Sequence, residues 1–458
     1  MHKNLSIMLL AIVTAACLLG GGGVAYGLSN LAVQLIAIAV LALNGELVAR
    51  FVTQGSRFLV ALVILTLALP LLQLVPLPPA FWMGLPGREL VTEAIKSFGE
   101  PGWRPLTVNT SRTFVAFLGL IAPLAVLVAG LFASVQVRQR IAFTFVAAGV
   151  ASVLLGVVQV MGNNQEGLLY PENPLPGVLF GFFANRNSVA IFLVSCLLLL
   201  IGCFAPQRAL SPRWIARFAV AVLIVTGVVL TQSRSGIALL TLPAALFLLK
   251  TYAYTSANSG IRQSNTGALP RPLQIGVIAA AMAALSLGAV AAVPGSRLEA
   301  VMARFEQDGE RRPEIWEDAR FSAERFWPVG AGMGTFDEVF QVDESLEHIS
   351  ARRAGRAHNE VLELAIEAGP IALILVAAWA MWVLHAGWGA LRDTERRWPA
   401  LAGIGVLLAA ALQSLLEFPL RNQAMLCVAA FSIVLIAPPI GMRKTAATPS
   451  RRDGDQAA

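Results

Sequence analysis

The chain has 458 residues, 57% of them hydrophobic and only 13% charged, with a mean hydropathy of +0.70. Soluble globular domains carry about 25% charged residues, so the composition excludes an ordinary soluble enzyme and specifies a polytopic membrane protein. The net charge of +7 does not point to nucleic acid. The basic residues sit between apolar segments, and no aromatic-rich basic patch suited to stacking bases occurs.

The N-terminus, MHKNLSIMLLAIVTAACLLGGGG, has the basic start and apolar core of a signal peptide. Its apolar run extends beyond a usual signal core and further spans follow, so a retained first span is expected. A span needs about 20 mostly apolar residues. On that basis the sequence predicts an all-α protein of about 12 spans, near residues 5–27, 30–49, 58–77, 112–134, 140–161, 186–205, 214–232, 235–253, 273–293, 370–391, 399–417 and 420–440. The four cysteines, Cys17, Cys196, Cys203 and Cys427, all fall inside these apolar runs. None has metal-type spacing, and burial as small apolar residues is expected.

The positive-inside rule supports this count. With the N-terminus in the cytoplasm, every inside segment is basic: His2-Lys3, Arg50 to Arg57, Arg138 to Arg140, Arg208 to Arg217, Lys250 to Arg271, Arg392 to Arg397, and a tail with Arg443, Lys444, Arg451 and Arg452. The outside loop MGNNQEGLLYPENPLPG has no Lys or Arg. Both termini are therefore expected in the cytoplasm. The predicted organisation is a bundle over 1–293 with an outside loop at 78–111, a helical outside loop over 294–369 between spans 9 and 10, spans over 370–440, and a disordered tail at 441–458. Within the large loop, RRPEIWEDARFSAERFW predicts a helix. Pro313 suits a first turn, and Ile315, Ala319, Ala323 and Phe326 recur on one face. GAGMGTF is a glycine-rich turn, and EVLELAIEAGP predicts a short helix ending at Gly369-Pro370.

Arginines in short outside segments break the rule and so carry information. Arg421 has Glu417 four residues upstream and is expected to pair with it. Arg186 and Arg234 have no such acid nearby. Each lies where the chain turns back toward the cytoplasm, flanked by the capping residues Asn185, Asn187 and Ser188 or Ser233, Ser235 and Gly236. Helix N-termini bind anions, and arginine adds a permanent bidentate donor suited to phosphate. Two such sites facing each other would form a diphosphate clamp; the alternative is arginines snorkelling to lipid headgroups. His358, just before a hydrophobic segment, is either a solvated loop histidine or a general base working near neutral pH. Glu360 and Glu363 are alternative bases, expected instead to be solvated acids. Arg352, Arg353 and Arg356 are expected to pair with Glu344 and Glu347, or else to bind an anionic acceptor.

Three elements in the large loop carry a resemblance: Arg312-Pro313-Glu314-Ile315-Trp316, the turn from Pro328 to Phe336, and His358-Asn359 followed by Glu367-Ala368-Gly369. Together with Asn185-Arg186-Asn187 and Ser233-Arg234-Ser235-Gly236, they resemble the O-antigen ligase and O-antigen polymerase family over roughly residues 140–440. The resemblance implies a GT-C-like membrane glycosyltransferase of the bacterial inner membrane, working at the periplasmic face. It would take a glycan from an undecaprenyl-diphosphate carrier and needs no cofactor, metal or nucleotide sugar at this step. The acceptor would be lipid A–core for a ligase, or another carrier-linked glycan for an O-antigen or exopolysaccharide polymerase. More remote alternatives are a protein O-oligosaccharyltransferase and a lipid-linked glycan transporter. The transporter is disfavoured because polar chemistry gathers at the outer face and not at mid-membrane. The implied catalytic residues are His358, Arg186 and Arg234. Arg312, Trp316, Asn185, Asn187, Ser235 and Asn359 would contact substrate.

Overall fold

The computed structural model describes residues 2–23, 26–161, 169–170, 175, 177–205, 210–258, 311–349, 353–438 and 440. Among these, seven helices are long and apolar enough to cross a membrane, and an eighth arises if the pair Gly27–Leu43 and Gly45–Gln54, bent by 73°, is one span. The expected span near 273–293, the tail at 441–458 and Arg352 lie outside the described residues.

The remaining expected spans fall on helices of differing length. Arg57–Gln73 has 17 residues and Gln423–Ile436 has 14. At about 1.5 Å per residue, both fall short of the about 30 Å hydrocarbon core. The second is short for a local reason. The chain between the helices Arg397–Ser414 and Gln423–Ile436 is irregular, with only a 3-10 turn at Pro419–Arg421. That segment carries Glu417, Arg421 and Asn422, whose side chains face protein and not lipid.

Helix Arg186–Gly202 is the centre of the bundle. Of its 18-residue apolar window 83% is buried, against 22% for the neighbouring helix Pro212–Leu230. It packs on Val135–Met161, Pro212–Leu230, Thr241–Asn258 and Arg397–Ser414, and the last of these packs on Gln423–Ile436. The four cysteines are buried.

At one end of this bundle, basic side chains close helix C-termini whose last carbonyls lack intrahelical donors. Lys250 Nζ donates to the carbonyls of Ile201 (2.6 Å) and Phe204 (2.9 Å). Arg138 donates to Leu131 and Val434, and Arg396 to Ile436 and Ala437. The basic clusters read from the sequence as a membrane-side signal thus also finish the helices.

The opposite end carries a polar unit with its own small core of Ile315, Ala319, Ala323, Phe326, Phe336, Phe340 and Ile366. Its helices are Arg312–Phe326, Phe336–Asp343 and the first turns of Glu360–Leu391. The apolar face expected on Arg312–Phe326 is the face it buries. The segment following Arg57–Gln73 belongs to the same unit. Its strands Pro76–Leu77 and Arg104–Pro105 pair antiparallel. Buried Arg88 donates to the carbonyls of Leu106 (2.5 Å) and Gly330 (2.9 Å), Val108 N donates to Ala331 O at 2.8 Å, and Arg112 pairs with Asp337 and Glu338.

The glycine-rich turn has a definite task. Glu360–Leu391 is two helices joined at Gly369, which adopts φ +57°, the left-handed region that glycine tolerates best. The backbone N–H groups of Ala331 and Gly332 donate to the carbonyls of Ile366 and Glu367, and Gln73 Nε2 also donates to Glu367 O. The turn therefore satisfies the end of the short helix expected from EVLELAIEAGP. A Cβ on Gly369 would strike the Pro328 carbonyl, and one on Gly330 would press on the Ala368 backbone.

Candidate functional site

Arg186 and Arg234 open helices, as expected from the flanking cap residues. Asn185 caps Arg186–Gly202, its side chain accepting from Asn187 N at 2.7 Å. Ser233 caps the short helix Arg234–Leu239 by accepting from Gly236 N at 3.1 Å. Ser235 Oγ lies 3.2 Å from Ser233 Oγ. On Arg186, the Nη1 atom is buried and has no hydrogen-bond partner among the described residues.

A chain of side-chain bonds joins the two helix starts. Ser233 Oγ donates to Asn187 Oδ1 at 2.7 Å, and Asn187 Nδ2 donates to Glu417 Oε1 at 2.5 Å. Gln413 Nε2 holds the Asn187 carbonyl at 3.0 Å. Asn187, expected to contact substrate, is thus the bridge between the arginine-bearing turns and Glu417.

Glu417 is 2% exposed and is the hub. Its Oε1 also accepts from Arg312 Nη2, and its Oε2 lies 3.1 Å from His358 Nδ1. Burial of a carboxylate is costly unless it is paired and hydrogen-bonded. Here Arg312 supplies the countercharge and Asn187 a further hydrogen bond. His358 therefore shares one bonded network with the residue following Arg186 and the residue preceding Arg234. The expected pairing of Glu417 with Arg421 does not form; Glu417 faces Arg312 and His358 instead.

His358 is fixed by its backbone and by two side-chain contacts. It adopts φ +52°, uncommon for a non-glycine residue and a conformation that persists only where its surroundings impose it. Trp316 Nε1 donates to Ala357 O at 2.8 Å, and Ala357 N donates to Glu363 Oε1 at 2.9 Å. Asn359 is the N-cap of the following helix, accepting from Leu362 N at 3.1 Å. Phe418 meets the imidazole edge-on, with ring centroids 5.2 Å apart. Trp316, Asn359 and Asn185, read from the sequence as substrate contacts, here make bonds that shape the site. Arg312 is bonded to Glu417.

Beside this network lies a second cluster. Glu360, Glu363 and Glu367 share one face of the short helix and are buried, where Glu360 and Glu363 were expected to be solvated. Arg421 inserts among them, with Nη1 at 2.9 Å from Glu367 Oε2 and Nη2 at 3.3 Å from Glu363 Oε2. Arg356 pairs with Glu363 at 3.1 Å. Glu360 accepts from the Ser414 hydroxyl and from Leu420 N. Two expected partnerships in this region are replaced. Arg353 pairs with Asp337, and Arg356 with Glu363, not with Glu344 or Glu347. The carboxylate oxygens of Glu360 and Glu363 all have hydrogen-bond or ion-pair partners.

Sequence reasoning missed Glu417 as a site residue, because Arg421 four positions on offered a local partner. The available signal was an acid at the outer rim of an apolar segment, on the side where two arginines, Arg186 and Arg234, lacked acids. A search of curated proteins finds no match to this chain. Residues 219–377 match the family model described as O-Antigen ligase. That segment includes Arg234, Arg312, Trp316, the glycine-rich turn and His358, and over it the chain is similar to the O-antigen ligase family.

Proposed function

We propose that the chain transfers a glycan from an undecaprenyl-diphosphate-linked donor to an acceptor at the periplasmic face of the bacterial inner membrane, with ligation of O-antigen to lipid A–core as the specific reaction. The observation carrying this is the bonded path from His358 through Glu417 and Asn187 to Ser233, which ties a basic nitrogen to the two arginine-bearing turns. In the reaction the donor's anomeric C–O bond breaks and the acceptor hydroxyl oxygen forms the new one. The diphosphate leaves with the electron pair, and the acceptor's proton passes to His358 Nε2. Arg186 and Arg234 hold the diphosphate as its negative charge grows, an interaction that strengthens toward the transition state and so lowers the barrier. The Nη1 of Arg186, without a partner among the described residues, fits a guanidinium kept for an anion, since a buried unpaired donor otherwise costs about 1–3 kcal/mol.

The test is reconstitution in liposomes with an undecaprenyl-diphosphate oligosaccharide. Adding lipid A–core is expected to release undecaprenyl diphosphate and yield glycosylated lipid A–core. Elongation of a second carrier-linked oligosaccharide in place of that product identifies a polymerase. Passage of uncleaved donor across the bilayer, with no product, defeats the transferase reading. Arg186→Ala and Arg234→Ala are each expected to lower kcat by ~100-fold or more, the scale for losing a transition-state charge donor, with expression retained. Full activity in either variant removes that arginine from the clamp.

A further inference from the structure

We propose that Glu417 is a positioning residue that fixes the His358 imidazole in the tautomer with hydrogen on Nδ1, leaving Nε2 to take the acceptor's proton. This rests on the transferase reading above, and Glu417 lies outside the segment matched by the family model.

The two carboxylate oxygens have divided roles. Oε1 is occupied by Arg312 and Asn187, while Oε2 faces His358 Nδ1 at 3.1 Å. An ionised carboxylate only accepts hydrogen bonds. The imidazole nitrogen facing it must therefore carry the hydrogen, which assigns the lone pair to Nε2. Among the described residues, Arg312 offsets the Glu417 charge from the loop helix. Arg356, two positions before the histidine, is taken up by Glu363. The edge contact with Phe418 limits rotation of the ring.

Glu417 also sets where the base sits. Through Asn187 it is bonded to the turn that carries Arg186, and through Asn187 and Ser233 to the turn that carries Arg234. The base and the proposed leaving-group cations are referred to one carboxylate, and moving it displaces the base from the reacting oxygen. Positioning of this kind acts on turnover more than on substrate affinity.

The experiment is Glu417→Gln in the full-length protein, with two readouts. The first is nitrogen-15 NMR of the imidazoles. The chain has only four histidines, and His358→Gln identifies the signal. Wild type is expected to show His358 in the Nδ1–H tautomer, and Glu417→Gln to show it mixed or reversed. The second is transfer from undecaprenyl-diphosphate oligosaccharide to lipid A–core. Here kcat is expected to fall at least ~10-fold, the scale for losing the partner that orients a reacting group, with donor KM changed less than threefold. Should Glu417→Gln not fold, Glu417→Asp, which keeps the charge but withdraws the carboxylate, is carried through both readouts with the same expectations. An unchanged His358 tautomer in the folded variant overturns the proposal, as does unchanged kcat. Absence of transfer in wild type defeats the transferase reading instead, and the imidazole spectra still decide whether Glu417 orients His358.

Discussion

Arg186 and Arg421 are both arginines in segments where the positive-inside rule expects few, and they meet opposite fates. Arg421 is engaged by Glu363 and Glu367 at salt-bridge distance, with Glu360 at 3.9 Å. Arg186 keeps a buried Nη1 without a partner among the described residues. The sequence marked both as anomalies and expected an acid partner for Arg421 alone, but it pointed to the wrong acid. The acid nearest to Arg421 in sequence is Glu417, while the bonded one, Glu367, is 54 positions away. Arg312 and Glu417 are 105 apart. Local spacing identifies a partner only when both residues lie on one helix, and here the chain breaks between them. Arg421→Met is expected to destabilise the protein by about 3–5 kcal/mol, because it strands buried carboxylates without a countercharge. Thermal unfolding in detergent measures this, and adding Glu367→Gln should recover part of the loss because the two sites are coupled. An Arg421→Met protein as stable as wild type would mean the cluster is hydrated and not buried.

At the scale of elements, helix beginnings were legible because caps are local chemistry. Asn185, Ser233, Asn359 and Pro313 mark starts that the structure shows. Gly369 marks a stop for the same reason. What the glycine-rich turn closes was not legible, since its N–H groups serve carbonyls more than 30 residues later. A similar long-range tie holds the end of Phe336–Asp343 to the loop helix. Asp318 Oδ2 accepts from Ser345 N at 3.2 Å and lies 2.9 Å from His348 Nδ1. The hydrogen bond to Asp318 raises the His348 pKa above its ordinary value. A histidine whose folded pKa is raised contributes stability that is fully present below its unfolded pKa of about 6.5 and is lost as pH rises through the folded value. Hydrogen exchange over residues 343–349, corrected for intrinsic rates, is therefore expected to quicken as pH rises above about 6.5. The effect should be absent in His348→Gln. Protection that is constant with pH in wild type would show that the charged imidazole does not secure this turn.

For the whole molecule, the composition specified a membrane-spanning helical protein, and among the described residues seven of the apolar runs form helices long enough to cross a membrane, eight if the bent pair is one span. Helix lengths and bends did not follow from the apolar runs, because hydropathy averages over the irregular segment that holds Glu417 and Arg421 and over the 73° bend. Nor did the sequence reveal that residues following Arg57–Gln73 and residues of the 311–369 segment form one bonded unit. That unit gives the orientation a sharp test. Arg88 and Val108 donate to the carbonyls of Gly330 and Ala331, so both segments must emerge on the same side of the membrane. The native cysteines are buried, which gives a low background for labelling introduced ones. Phe98 and Leu346 are 94% and 88% exposed on the two segments. Glu395 is exposed near the opposite end, between Glu360–Leu391 and Arg397–Ser414. Phe98→Cys and Leu346→Cys are expected to react with a membrane-impermeant maleimide in cells whose outer membrane is permeabilised, and Glu395→Cys only after lysis. Labelling of Phe98→Cys and Leu346→Cys from opposite sides would contradict the bonded unit itself. Labelling of both only after lysis would leave the fold intact but put His358 and Glu417 on the cytoplasmic side, where the proposed periplasmic transfer could not occur.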